Sequence, residues 1–183
     1  MTAFPLTIWT VGHSTRPIEK FVRLLNAHLI RQLVDVRTIP KSRHNPQFNT
    51  EALAISMAEA KIDYRHAPEL GGLRKPGANS INTGWRNKSF QGYADYMQTG
   101  AFHHALDELM AYATNEKTVI MCAEAVPWRC HRSLIADALV SREWDVRHIL
   151  SEIQADLHRM TAFATVEDGI LSYSNPATNL LLF

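Results

Sequence analysis

The stretch Lys117-Thr-Val-Ile-Met-Cys-Ala-Glu-Ala-Val-Pro-Trp-Arg-Cys-His-Arg-Ser-Leu-Ile-Ala-Asp-Ala-Leu-Val-Ser141 decides the fold. It opens on an apolar, β-branched run of strand length, Lys117 to Cys122. It closes on a helical pattern from Cys130 to Ser141, with Leu134, Ile135, Ala138 and Leu139 on one face. A short polar joint lies between. A strand passing through such a joint into a helix is the repeating unit of open α/β sheets. Their chemistry gathers at the carboxyl ends of strands, where helix N-termini face the ligand.

The alternation extends towards both ends of the chain. Leu6 to Val11 is a β-rich run that stops at Gly12, and Pro17 opens a helix carrying Ile18, Phe21, Val22, Leu25 and Leu29 at helical spacing. Gln32 to Arg37 reads as a second strand, ended by Pro40. Thr50 is expected to cap a helix bearing Leu53, Ile55, Met57 and Ala60, with Glu51 in its first turn. Ile62 to His66 makes a short third strand, and Trp144 to Ile149 a fifth after the Lys117 to Cys122 run. Helical patterning resumes near Tyr93 and runs to Tyr112 with a break at Gly100. The tail offers a short helix, Glu152 to Ala162, and a weak terminal strand.

Strands alternating with helices imply parallel pairing through right-handed crossovers. The expected fold is therefore a single-domain three-layer α/β/α with a mostly parallel sheet of about five strands, residues 151–183 packing on it as an extension. From Pro68 to Phe90 no period survives, and Gly71, Gly72, Gly77 and Gly84 mark a long loop of the kind that serves as a lid or binding segment. No acid falls between Glu69 and Asp95, whereas Arg74, Lys75, Arg86 and Lys88 do, so the loop is basic.

Of 183 residues, 46% are hydrophobic and 20% charged, as in an ordinary globular protein, and a net charge of +1 gives no global argument for nucleic acid or membrane. No apolar run reaches the ~18 residues of a membrane helix. Met1 to Pro5 lacks the basic and apolar regions of a signal peptide, so the expectation is a cytoplasmic protein with reduced thiols. Cys122 and Cys130 are too few for an iron–sulfur cluster, which takes about four cysteines. Cys130 and His131 could join Cys122 and His13 as metal ligands, but the spacing matches none of the usual zinc patterns and adjacent Cys and His rarely both reach one ion, so no metal is expected.

Three strand ends should converge on one rim: Gly12-His13-Ser14, Asp35 to Arg37, and Cys122. Cys122 faces a helix N-terminus near Arg129 and Arg132, the setting of a nucleophilic thiolate, though a buried small hydrophobe fits the same position. Glu124 is a candidate acid–base group or an ion-pair partner shaping the loop. Trp128 offers a ring to a base or sugar. His131 and Arg132 are oddly basic for a first helical turn, which points to an anionic ligand nearby. His13, Ser14, Thr15 and Arg16 could cradle a phosphate or carboxylate, and Arg43 belongs to a basic collar after the second strand.

The stretches Thr10 to Arg16, Val34 to Pro40 with Ser42-Arg43 and Asn45 to Phe48, Glu69 to Gly72, Gly92 to Met97 and Met121 to Asp137 closely resemble the bacterial domain of unknown function 488 family, from about Thr7 to Ile149. The resemblance implies a compact α/β domain built around these motifs and supplies no reaction, cofactor or substrate. The residues themselves point to an anionic, phosphate-bearing ligand at the rim, a nucleotide or nucleic-acid end, with Cys122, Glu124 and His13 reactive and Ser14, Thr15, Arg16, Asp35, Arg37, Arg43, Trp128, Arg129, His131 and Arg132 binding. Two rivals share these residues: a non-catalytic nucleic-acid-binding or regulatory module, and rhodanese-like sulfur transfer through Cys122.

Overall fold

A computed structural model describes residues 6–174; Met1 to Pro5, where a signal peptide was sought, lies outside the described residues, as do residues 175–183. The chain runs β1 (Thr7–Gly12), α1 (Ile18–Ala27), β2 (Gln32–Asp35), α2 (Thr50–Glu59), β3 (Asp63–His66), α3 (Lys88–Met97), α4 (Gly100–Ala113), β4 (Thr118–Cys122), α5 (Arg132–Val140), β5 (Asp145–Ser151), β6 (Gln154–Leu157), β7 (Thr165–Glu167) and β8 (Ile170–Ser172). The main sheet has the order β3-β2-β4-β1-β5-β6. Its first five members are parallel and β6 is antiparallel to β5.

Residues alternate across the sheet and divide the core in two. Val11, Leu33, Val119 and Met121 pack under α1 and α2 with Phe21, Leu25, Leu53 and Met57. Ile8, Val34, Ile120 and Cys122 pack under α3, α4 and α5 with Tyr93, Phe102, Leu106, Leu134 and Ile135. Each large apolar side chain so buried contributes about 1.5–3 kcal/mol. Right-handed crossovers require this split, because the chain moves one way along the sheet through β2 and β3 and returns through β4 and β5.

Local signals set the boundaries. Thr50 opens α2 but does not cap it: Asn49 holds the cap position, and its side-chain oxygen accepts the Ser42 N–H at 2.6 Å instead. The break near Gly100 is made by Thr99, whose hydroxyl caps α4 by accepting the Phe102 N–H at 3.3 Å. Cys130 is extended (φ −137°, ψ 145°), so α5 begins at Arg132 with His131 as its cap residue.

The expected tail helix is absent. Glu152 to Ala162 instead turns back, and Gln154–Leu157 pairs with the open edge of β5, His148 opposite Asp156 and Ile149 opposite Ala155. Ala155 and Leu157 alternate with Gln154 and Asp156 in β6, a strand period, and the unpaired backbone of β5 supplies the partner. The segment after Ser151 thus begins as an integral strand, and the chain then folds over α5 to the β7–β8 hairpin.

Candidate functional site

The parallel order places the carboxyl ends of β1, β2 and β4 side by side. β1 and β4 send their crossovers to opposite faces, which is the switch point where open sheets leave a crevice. Here the crevice is filled. The His13 N–H donates to the Cys122 carbonyl at 3.0 Å and the Ser14 N–H to the Ala123 carbonyl at 2.9 Å, so the two strands stay zipped beyond their ends. A β-carbon on Gly12 would stand 1.8 Å from the Glu124 carbonyl oxygen, so only glycine admits this approach.

His13, Arg37 and Cys122 do gather at one rim, but their side chains part to opposite faces. On the α1–α2 side, Asp35 is fully buried and its carboxylate accepts Arg37 Nε at 2.8 Å, Arg37 Nη2 at 2.6 Å and the Tyr64 hydroxyl at 3.0 Å. Arg37 also donates to the Phe48 carbonyl at 2.7 Å and, through Nη1, to His13 Nε2 at 3.2 Å. His13 stacks on Phe48 with ring centroids 4.1 Å apart and gives its Nδ1–H to the Ser14 carbonyl. Burial, reinforced by the neighbouring Arg37, holds its pKa down to about 4. It is a neutral imidazole whose two nitrogens are both engaged. Arg16 turns back on the Gly12 and His13 carbonyls, while Thr15 and Arg43 are exposed and Ser14 is half-buried with a left-handed φ of 52°. The expected anion cradle is therefore largely spent on holding the rim together.

The α5 side carries the less committed groups. Cys122, Cys130 and His131 present their ligand-type atoms within 4.8 Å of one another. His131 Nε2 must carry the proton, because it meets the Val36 carbonyl at 3.0 Å; Nδ1 then faces Cys130 Sγ at 3.7 Å with its lone pair. A hydrogen bond from Cys122 holds Cys130 well below the usual thiol range, helped by the positive charge of Arg132, and the same bond together with burial pushes Cys122 up. This corrects the expectation for Cys122: of the two thiols, Cys130 holds the negative charge more readily.

Arg132 is 1% exposed and lies inward, donating to Thr10 Oγ1 at 3.2 Å and to the Glu124 carbonyl at 2.5 Å. Among the described residues it has no carboxylate at ion-pair distance, and its Nε–H has no acceptor. Glu124 and Arg129 side chains are exposed on the loop.

Sequence reading missed a second set on this face. Asp137, fully buried in α5, accepts His158 Nε2 at 2.8 Å, Thr161 Oγ1 at 2.7 Å and the Tyr173 hydroxyl at 2.9 Å. His158 Nδ1 meets His148 Nε2 at 2.9 Å, and His148 Nδ1 meets Thr10 Oγ1 at 2.7 Å. Arg132 donates to Thr10 in turn, so the chain of contacts runs from Asp137 through His158, His148 and Thr10 to Arg132. Burial, with His158 and Arg132 nearby, keeps the His148 pKa down to about 3. The available signal was a carboxylate inside the apolar run Leu134 to Leu139.

Above this chain of hydrogen bonds opens a cavity of ≈ 460 Å³ between the β4–α5 joint and the β5–β6 edge. Trp85, Trp128 and Phe163 wall it, His148 and His158 lie at its base, and Ser133, Asp156 and Arg159 supply polar atoms. Trp128 is 68% exposed, and the Trp85 indole N–H is buried without an acceptor among the described residues. The basic loop borders the cavity through Trp85 and is hydrogen-bonded to its neighbours. Asp95 accepts from the Gly77 N–H, Ser80 and Asn82, and fully buried Asn82 accepts the Tyr173 N–H at 2.9 Å.

The pattern of the family described as Domain of unknown function DUF488 matches residues 17–139. The chain belongs to that family. Its DUF488 portion spans α1 to α5 and contains Arg37, both cysteines, Glu124, His131, Arg132 and Asp137, whereas His148, His158 and the β5–β6 edge follow it. No curated protein and no solved structure matches the chain.

Proposed function

We propose that the chain is a nucleotide-binding α/β protein whose ligand, an anionic phosphate-bearing nucleoside, occupies the cavity beside Trp128. The cavity carries the reading. A volume of ≈ 460 Å³ lies within the range of small-molecule sites, and its lining sets the apolar faces of Trp85, Trp128 and Phe163 beside polar groups that include Ser133, Asp156 and Arg159. An exposed indole such as Trp128 gives a base a face to stack on, and the acceptor-less N–H of Trp85 asks for a ring nitrogen or carbonyl. Arg159 at the wall and exposed Arg129 next to Trp128 supply positive charge for the phosphate.

Titration of the tryptophan fluorescence with AMP, adenosine and inorganic phosphate tests the reading. AMP should quench saturably and bind more tightly than either part. Trp128→Ala should weaken AMP by the worth of one stacked base, about 1–3 kcal/mol, or roughly ten- to a hundredfold. Arg159→Ala should bring AMP closer to adenosine. Absence of saturable binding, or a Trp128→Ala variant that binds AMP normally, would reject the proposal. Preference for a single-stranded oligonucleotide, with affinity falling steeply as salt rises, would favour the nucleic-acid module instead.

A further inference from the structure

We propose that Cys122, Cys130 and His131 form a Zn²⁺ site with an open fourth position. Two thiols and one imidazole nitrogen suit zinc, a borderline-soft ion that takes tetrahedral sulfur and nitrogen ligands. Their donor atoms already lie within 4.8 Å of one another, so one ion can reach all three with small movements.

Adjacent residues rarely share an ion, because neighbouring side chains on a helix diverge. This chain avoids that: Cys130 is extended and His131 has φ −56° and ψ −14°, and the change of conformation between them turns both to one side. His131 is also prepared as a ligand. Its Nε2–H is held by the Val36 carbonyl at 3.0 Å, the outer bond that commonly fixes a metal-binding histidine, and Nδ1 is left free to coordinate. Space is kept beside that nitrogen, since a β-carbon at Gly72 would stand 3.1 Å from Nδ1. The site is anchored at the end of β4 and the start of α5, with the cysteines 8% and 4% exposed.

Charge decides the fourth position. Two thiolates balance Zn²⁺ once their protons have left to solvent, and His131 adds none. Arg132, buried alongside with no carboxylate partner among the described residues, leaves the region positive. No fourth protein ligand joins the group among the described residues. The remaining position therefore takes water, hydroxide or an anionic oxygen of a small ligand. The inference stands apart from the nucleotide cavity, which shares none of these residues.

The test uses the full chain, reduced and freed of metal by chelation, with Co²⁺ as spectroscopic probe and Zn²⁺ as competitor. One equivalent of Co²⁺ should give tetrahedral ligand-field bands with thiolate-to-cobalt charge transfer, and Zn²⁺ should abolish them stoichiometrically. Zinc should protect both thiols of the wild-type chain from alkylation, a readout that needs no variant to fold. Cys122→Ser and Cys130→Ser should each weaken the charge-transfer bands, His131→Asn should weaken binding at least tenfold, and His104→Asn, on the exposed face of α4, should leave it unchanged. Cobalt bound without charge transfer, thiols that react equally with and without zinc, or binding lost only in His104→Asn would overturn the proposal. Isolation of the chain with a Cys122–Cys130 disulfide that persists under mild reductant would also overturn it.

Discussion

Replacing Asp35 by Asn should cost more than any other isosteric change at the rim. The carboxylate accepts the Arg37 N–H at 3.1 Å and Nε at 2.8 Å on one oxygen, and Arg37 Nη2 at 2.6 Å and the Tyr64 hydroxyl at 3.0 Å on the other. Asparagine keeps one acceptor and turns the other into a donor facing donors. Arg37, 8% exposed, then loses its only counter-charge among the described residues while still pressed against neutral His13. Removing one partner of a buried pair costs about 3–5 kcal/mol; because Asn retains some bonds, ~3 kcal/mol is expected. For a chain of this length that is a fall in Tm of about 6–12 °C, measurable by calorimetry. Salt should change the loss little, since the pair is shielded from solvent. The double variant Asp35→Asn, Arg37→Met should cost less than the sum of the single losses, because no stranded cation remains. A single-variant loss below ~1 kcal/mol, or strict additivity in the double, would refute the view that this pair fastens the rim.

Acid should weaken the fold through His13 and His148. Burial holds their pKa values to about 4 and about 3 against 6.5, so the unfolded chain takes up protons that the folded chain refuses. This contribution to stability is intact above pH 6.5 and is lost as the pH falls towards 4, so the urea midpoint should drop on going from about pH 7 to about pH 5, and drop less in a His148→Asn variant. A midpoint unchanged over that interval would show that neither imidazole is held neutral. Gly12→Ala should drive the Glu124 carbonyl away from β1 and with it the loop from Ala123 to Arg129; hydrogen exchange at the Ser14 N–H, which donates to the Ala123 carbonyl at 2.9 Å, should rise sharply while the α2 core stays protected.

The alternation of strand and helix was legible because parallel strands, buried on both faces, read as apolar runs such as Thr118 to Cys122, and α1 carries its apolar residues on one stripe. What failed was β6. An edge strand with one wet face has little apolar signal, and what makes Gln154–Leu157 a strand is the open backbone of β5, which no local pattern reports. The rim was legible as a position but not as a site. Arg37 and Arg132 read as anion ligands from their residue type, yet Arg37 is consumed by Asp35 two residues away and Arg132 is drawn under the loop to Thr10 and the Glu124 carbonyl. Which face a side chain takes at a strand end depends on the first residues after the ladder, and there His13 and Cys122 diverge. The Asp137–His158–His148–Thr10 chain joins α5, β5 and the residue after β6 to Thr10 of distant β1, and only the folded sheet brings them together.

A crystal structure with AMP would show whether the ligand lies on the α5 face, beside Trp128. The base should stack on the Trp128 indole within the ≈ 460 Å³ cavity, with an acceptor of the base or sugar on the Trp85 N–H and the phosphate turned towards Arg159 or Arg129. AMP lodged instead on the opposite face, against Lys41, Arg43 and the start of α2, with the Trp128 cavity holding only water, would contradict that placement.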